Sequence, residues 1–442
     1  MRAIFAYTVF FVMTMFLPHQ VQAENNPADD YEILTYRLYT QQKWDSLIII
    51  GERAIAEGYD YYFMRARVGI AAFELQKYSR AVLHLEEALK FNNSDSYIIE
   101  LVYYSYAYSG REDEARAYLS SLPPETAESI GAATLRPSVY METGPSFSNH
   151  ISKFDNERQP GNGLYSETYL NKNAYYFLVG STIPLGFRWS VNVAYTAMDF
   201  NKQRRVDITY FDSLIGNYKV TQHEGYLSTS FMFFDRLKIT PAVRISNVSY
   251  DNLLSSDDTI VQRFIGPSGA TAYNDIAFGG ELSFLAPYFS VTAGFWVIEV
   301  DKTDYRQASA SFFFRPLGNL NLYTYSNITY KNNGFDGSLI YHQMVGGKIC
   351  NKLWAEAFYT QGDLTGTGEN NLQVVYNGFD QAKNRYGLRF IHTLNEHFRF
   401  SLRGQVFSRE GTELYFDEAG NRGIYSFNYQ TLSITGGVSW NL

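Results

Sequence analysis

Two hydrophobic periods run along this chain, and one gives way to the other near residue 125. From about residue 31 to 121 apolar residues recur at helical spacing, which predicts helices packed by one face. From about 138 onward they alternate with polar residues, the signature of strands whose two faces meet different surroundings. The alternation is plainest in residues 431–442. There Leu432, Ile434, Val438, Trp440 and Leu442 share one parity, with Gly436 as the gap, while Thr431, Ser433, Thr435, Gly437, Ser439 and Asn441 share the other. Trp189, Val191, Val193 and Tyr195 oppose Arg188, Ser190, Asn192 and Thr196 in the same way. So do Leu237, Ile239, Val243 and Ile245 against Lys238, Thr240 and Arg244, and Phe398, Phe400, Leu402 and Val406 against Arg399, Ser401, Arg403 and Gln405.

The breaks between strands carry the count. Short ones fall at 185–187, 235–236, 286–288, 316–319, 351–352 and 395–396, and mostly longer polar ones at 149–172, 201–217, 251–271, 302–305, 331–336, 361–383 and 410–422. Short and long alternate in order, as the periplasmic turns and external loops of an outer-membrane barrel do. Six turns and seven loops make thirteen connections, hence fourteen strands. The last strand would close the barrel on the first, because backbone polar groups left open to lipid have no partner. Phe187, Trp189, Tyr288, Phe398 and Trp440 are expected near the periplasmic ends, as an interfacial girdle.

The helical region repeats. Ala81 and Ala115, Ala54 and Ala88, and Trp44 and Tyr78 are each 34 residues apart, which is the tetratricopeptide period. Helices are expected at 31–40 and 44–57, 61–75 and 78–91, and 95–109 and 111–121. Gly69, Tyr78, Ala81, Leu85 and Ala88 stand where that motif has its packing residues, so the segment resembles a tetratricopeptide array. The resemblance implies a curved surface that binds a peptide or protein. The alternative is that the helices merely cap or space the barrel mouth. Pro123, Pro124 and Pro137 bracket a linker.

Composition strengthens the membrane reading. The chain holds 37 Tyr and 33 Phe but only 19% charged residues, and past the N-terminus it has no run of about 18 apolar residues to form a membrane helix. A large soluble β-sandwich is the alternative, since its sheets alternate too. Arg2, the apolar run to Leu17 and Val21-Gln22-Ala23 read as a secretory signal peptide. The domain plan is therefore signal peptide 1–23, helical repeats 24–122, linker 123–137 and an outer-membrane barrel 138–442. The single cysteine, Cys350, cannot make an internal disulfide. A net charge of −8 argues against nucleic acid as a partner.

The most distinctive polar group is basic. Arg385 and Arg389, and Arg399 and Arg403, hold the inward parity of neighbouring strands, and Arg244 and Lys238 hold it on another. Such a wall focuses anions, or it pairs with inward acids such as Glu281 and Glu356. The histidines show no metal-ligand spacing. Neither metal, cofactor nor catalysis is expected.

Helical repeats before a fourteen-strand barrel resemble two families, the surface lipoprotein assembly modifiers and the exopolysaccharide-export porins. No barrel motif of either is matched residue by residue. The resemblance implies an α+β multidomain protein of the bacterial outer membrane, with its repeats in the periplasm, that helps move a protein or polysaccharide client outward. Two rivals stand beside it. One is a membrane-anchored scaffold whose repeats bind an envelope partner, and the other is a passive pore for small anionic solutes.

Overall fold

The computed structural model describes residues 27–131, 135–157, 164–211, 213–252, 269–378 and 380–442. The expected signal peptide lies outside these, as does most of the expected external loop at 251–271. Among the described residues seven helices come first: α1 Pro27–Thr40, α2 Trp44–Ala56, α3 Tyr62–Glu74, α4 Tyr78–Phe91, α5 Ser96–Tyr108, α6 Glu112–Leu119 and α7 Pro124–Gly131. The last of them lies within the stretch read as linker. Leu47, Met64, Val68, Leu85 and Val102 are buried between the helices, together with Ala54, Ala81, Ala88 and Ala115. Gly69 shows why a small residue sits there. A Cβ added to it would lie 2.5 Å from Cδ2 of Leu85 and 3.2 Å from the Leu85 backbone nitrogen, so α3 and α4 approach closely only because it is glycine. Trp44 packs against the edge of the same core, and Tyr78 meets Phe73 and Tyr108 ring to ring. Among the described residues no helix is long and apolar enough to cross a membrane.

The rest is a closed antiparallel barrel of fourteen strands. They are β1 Ser138–Ser148, β2 Tyr165–Pro184, β3 Trp189–Ile208, β4 Leu214–Phe233, β5 Leu237–Asn252, β6 Gly269–Leu285, β7 Phe289–Val300, β8 Thr303–Phe314, β9 Leu322–Asn332, β10 Gly337–Cys350, β11 Leu353–Gln361, β14 Gln381–Thr393, β15 Phe398–Phe416 and β16 Arg422–Asn441. Two short strands, β12 Gly368–Glu369 and β13 Val374–Val375, form a separate hairpin. Closure runs from Ser138 opposite Asn441 to Ser148 opposite Thr431. The parity read from the last strand holds: Leu432, Ile434 and Trp440 are exposed on the outside while Thr431 and Thr435 are buried inside. Trp189, Val193 and Tyr195 on β3, and Leu388 and Phe390 on β14, extend the outward apolar belt.

Three sequence expectations change. First, β3, β4 and β15 run on through residues read as loop, leaving tips at only 209–213 and 417–421. The alternation fades there because β3 carries polar residues on both faces from Asn201 to Arg205. Strand pairing continues regardless, with Arg204 opposite Gly216. Second, the loop before β2 contains a helix, α8 His150–Glu157. Third, the loop at 361–383 turns into the barrel. Elsewhere a two-residue turn suffices: Asp301 and Lys302 both take positive φ, 45° and 64°, as the tight primed hairpin between β7 and β8 requires.

The helical region docks on the short-turn end of the barrel. The Ser79 amide donates to the Gly318 carbonyl at 3.0 Å and its hydroxyl to the Pro287 carbonyl at 2.5 Å. Asn319 donates to the Gln76 carbonyl at 2.8 Å, and Arg188 to the Ser120 hydroxyl at 2.7 Å. Phe187 packs on the helical core and Tyr288 lies beside Gly318. These two rings therefore meet the helices, whereas Phe398 and Trp440 stack on each other at 5.6 Å.

Candidate functional site

The inward segment between β11 and β14 defines the site. Gly362 leaves the wall with φ of 123°, its amide held by the Lys383 carbonyl at 2.8 Å. The chain then folds into the β12–β13 hairpin. Its tip takes three consecutive left-handed residues, Asn370, Asn371 and Leu372, with φ of 49°, 53° and 73°. The two asparagines tolerate that conformation better than most residues, whereas at Leu372 it carries a backbone cost. Leu372 offsets that cost by full burial among Ala242, Ala277, Trp296, Ile298 and Val300.

Polar contacts tie the hairpin to walls all round the lumen. Asn371 accepts from the Trp296 indole at 3.0 Å, accepts through its carbonyl from Tyr226 at 3.1 Å and donates to the Thr240 carbonyl at 3.0 Å. The Gln307 side-chain amide both donates to and accepts from the Gly368 backbone, at 2.8 and 2.9 Å, as a neighbouring strand would. Gln373 reaches across to the Tyr140 hydroxyl on β1 at 2.9 Å. Lys331 bridges Asp363 at 2.9 Å and also donates to the Thr365 carbonyl. Arg385 grips Glu369 with two bonds, at 2.8 and 2.9 Å. β1, β4, β5, β7, β8, β9 and β14 all hold the segment, so it spans the lumen.

Two further layers lie above it. In α8, Phe154 is fully buried against Leu170, Phe427 and Tyr429. The His150 ring stacks on Tyr429, centroids 3.9 Å apart and planes within 3°, and its Nδ1 accepts from the Asn171 amide at 2.6 Å. Asp380 accepts from Tyr429 at 2.7 Å and from the Asn171 side chain at 2.6 Å. Beyond α8 the end of β15 pairs with β2, from Glu413 opposite Thr168 to Phe416 opposite Tyr165, which draws the long-loop end inward. A cavity of about 280 Å³ remains between these layers, walled chiefly by β1–β5 on one side and β14–β16 on the other.

The inward basic residues have partners at graded distances. Arg403 meets Glu142 at 2.9 Å and Arg389 meets Glu356 at 3.7 Å. Arg389 and Arg403 are cross-strand neighbours, while Arg385 stands opposite Phe407 and Arg399 opposite Thr393. Arg244 pairs with Glu224, both buried. Lys238 bridges Asp113 of α6 at 2.8 Å, so it belongs to the helical dock. Burial opposes the charge on Asp113, but Lys238 and Arg116 outweigh it and hold that carboxyl at about 2. Arg399 has no carboxylate within ion-pair distance among the described residues. The residues that sequence reasoning missed are those of the hairpin and α8. The hairpin's one signal was three glycines within seven residues, Gly362, Gly366 and Gly368, set among the apolar Leu364, Leu372, Val374 and Val375.

No family model and no curated protein matches the chain. Solved structures similar to its barrel include the Pseudomonas putida toluene transporter TodX, at 9% identity over 74% of this chain and 92% of that one, with a TM-score of 0.42. A Pseudomonas aeruginosa FadL homologue has 8% identity over 72% and 94%, with a TM-score of 0.45. The helical region is similar to the second TPR domain of the human RPAP3 protein, solved with an HSP70 peptide, at 19% identity over 24% of this chain and 83% of that one, with a TM-score of 0.20. At these identities and scores none of them decides what this chain carries.

Proposed function

We propose that the chain is a bacterial outer-membrane transport barrel for small solutes, shut at rest by the inward hairpin within residues 362–378. The observation that carries this reading is the hairpin itself. It crosses the lumen by discrete side-chain contacts, which is the construction of a part that detaches, and it leaves a small cavity beside it. An apolar outer belt, a polar interior and strand closure fit a lipid setting. The helices, read as tetratricopeptide-like, would then lie in the periplasm at the short-turn end. Export of a protein or polysaccharide client, the reading suggested by the repeat-plus-barrel plan, asks for more. The hairpin, α8 and the β15–β2 closure must all move aside before a polymer passes.

A scaffold role keeps one specific observation in its favour. Tyr36 and Phe63 are exposed side by side on the helical domain, with the Arg67 guanidinium 5.3 and 5.8 Å from their ring centres. Planar-bilayer conductance decides between the readings. The native barrel should conduct little, and replacing residues 365–375 by a short Gly-Ser link should raise conductance at least several-fold. A link variant that folds and stays as sealed as the native protein would discard transport in favour of the scaffold.

A further inference from the structure

The cavity has a chemical character of its own. Arg244 is buried on β5 and lines it. One of its terminal nitrogens meets Glu224, but Nε and Nη1 have no hydrogen-bond partner among the described residues. A buried guanidinium N–H without an acceptor is costly, and native interiors rarely leave one so. Nor does Glu224 alone balance the surroundings. Lys202, Arg244, Arg385, Arg403 and Arg409 line the cavity, against the carboxylates of Glu224, Glu369 and Asp380. With Glu142, which pairs with Arg403 from beside the lining, five cations face four carboxylates, so the lining keeps an excess of positive charge. The other surfaces are apolar or aromatic, among them Met198, Phe200, Val248, Tyr176 and Tyr376.

We infer that this cavity is a binding site for a compact organic anion, its oxyanion accepting from Arg244 and its apolar or aromatic body lying against Met198, Phe200 and Val248. The inference rests on the transport reading and names the class of solute. Inorganic anions would leave the apolar wall unused, and neutral solutes would leave the guanidinium unanswered. Bulky anions would not fit about 280 Å³ while the hairpin is in place. Charge-assisted hydrogen bonds to guanidinium are the strong kind and gain further in a low-dielectric site.

The test uses the full-length protein in detergent, titrated calorimetrically with sodium benzoate and, separately, with benzamide, its neutral counterpart of nearly the same shape. Benzoate should bind saturably at one site, and benzamide at least about tenfold more weakly, the scale of a lost hydrogen bond to a charged group. Changing Arg244→Gln alone would strand Glu224, so the paired variant Arg244→Gln with Glu224→Gln is used. It should keep its heat-modifiable gel mobility and lose benzoate affinity by about tenfold or more. Equal affinity for the two probes overturns the proposal on native protein alone. Undiminished benzoate binding in the folded paired variant does so as well. Transport fails separately. Tight benzoate binding with no benzoate flux through liposomes carrying the hairpin-replaced barrel would keep the site and remove the pathway. Flux without a preference for benzoate would do the reverse.

Discussion

The helical domain and the barrel solve the problem of an interior in opposite ways. In the helices the core is built of Leu47, Met64, Val68, Leu85 and small alanines, and the few buried charges, such as Arg111 with Glu114, are paired beside it. In the barrel the large apolar side chains point outward, and the lumen buries Arg244, Glu224, Lys331, Arg385 and Glu413. The cause is the same hydrophobic effect acting with different surroundings. Water around the helices drives Leu inward, while in the lipid setting proposed above the barrel's outward Leu and Phe would find an apolar home on the outside. The lumen is then left to polar groups, which must satisfy one another. One region should therefore fail through lost packing and the other through unpaired charge.

The largest effect should come from an unpaired charge in the lumen. Glu224→Gln leaves the buried Arg244 without its carboxylate, and breaking such a pair from one side costs about 4 kcal/mol. Urea unfolding of the purified barrel, followed by tryptophan fluorescence, should show it. Adding Arg244→Gln should recover most of the loss, because two neutral amides replace the stranded charge. If the second change makes matters worse, the lumen is not held together by paired charges.

A lost core side chain should come next. Leu85→Ala removes a fully buried side chain packed on Gly69 of the facing helix, at a cost of about 3 kcal/mol. The helical signal in circular dichroism should melt earlier while the barrel's heat-modifiable mobility stays put. Equal shifts in both would show that the two regions unfold as one.

How much of this was legible in the sequence follows from what each surface demands. A strand with one apolar face carries an apolar residue at every second position, so Leu432, Ile434 and Trp440 announced the outward face of β16 and the strand count emerged from the breaks. Helix packing demands small residues at fixed intervals, and Gly69, Ala81 and Ala88 announced it. The luminal segment meets neither demand. It is held by Asn371, Gln307, Gln373 and Lys331, polar residues whose partners lie up to 233 positions away in the chain, so locally it reads as any Gly- and Asn-rich loop. The pairing of Arg385 with Glu369 was hidden for the same reason, because Glu369 belongs to no strand of the barrel wall. The paired strands past the apolar belt were missed because no apolar alternation marks them.

A smaller effect should separate the two faces of one strand. Ile434→Asp places a carboxylate on the outward apolar belt, at a cost of about 2 kcal/mol if that belt faces lipid. Ser433→Asp, on the inward parity beside Arg403 and Gln405 of the next strand, should be far milder. Refolding yield into lipid vesicles compares them directly. Equal defects would mean that the outward belt does not meet lipid.

The smallest effect turns on one helical residue that departs from its region's rule. His84 is buried on α4, with Arg65 donating toward Nδ1 at 3.2 Å and Nε2 facing Glu52 at 3.1 Å. Arg80 also grips Glu52, and Asp60 holds Arg65 from the far side at 2.6 and 2.7 Å. Burial lowers the His84 pKa first. Glu52 pulls the other way, and Arg65 and Arg80 lower it again. The geometry gives the reason: Nδ1 already accepts from a guanidinium, so a proton there would set N–H against N–H. The unfolded chain takes up that proton at an ordinary imidazole value of about 6.5, whereas the folded chain takes it up only at lower pH. The unfolded state therefore binds more protons in between. The helical domain keeps its full stability above about pH 6.5 and loses some as pH falls toward the folded value. Glu52 and Asp113, both depressed carboxylates, add their own losses only at and below the ordinary carboxylate range. Across the window from about pH 6.5 down to 5, Glu86 on the same helix acts the other way, because burial raises its carboxyl, so the imidazole is read from the difference between native protein and the His84 variant. Urea midpoints of the helical signal should fall across that window, and His84→Gln, an uncharged residue that can still meet Glu52, should flatten the slope. A slope unchanged by that substitution would assign the pH dependence to some other group and return His84 to ordinary packing.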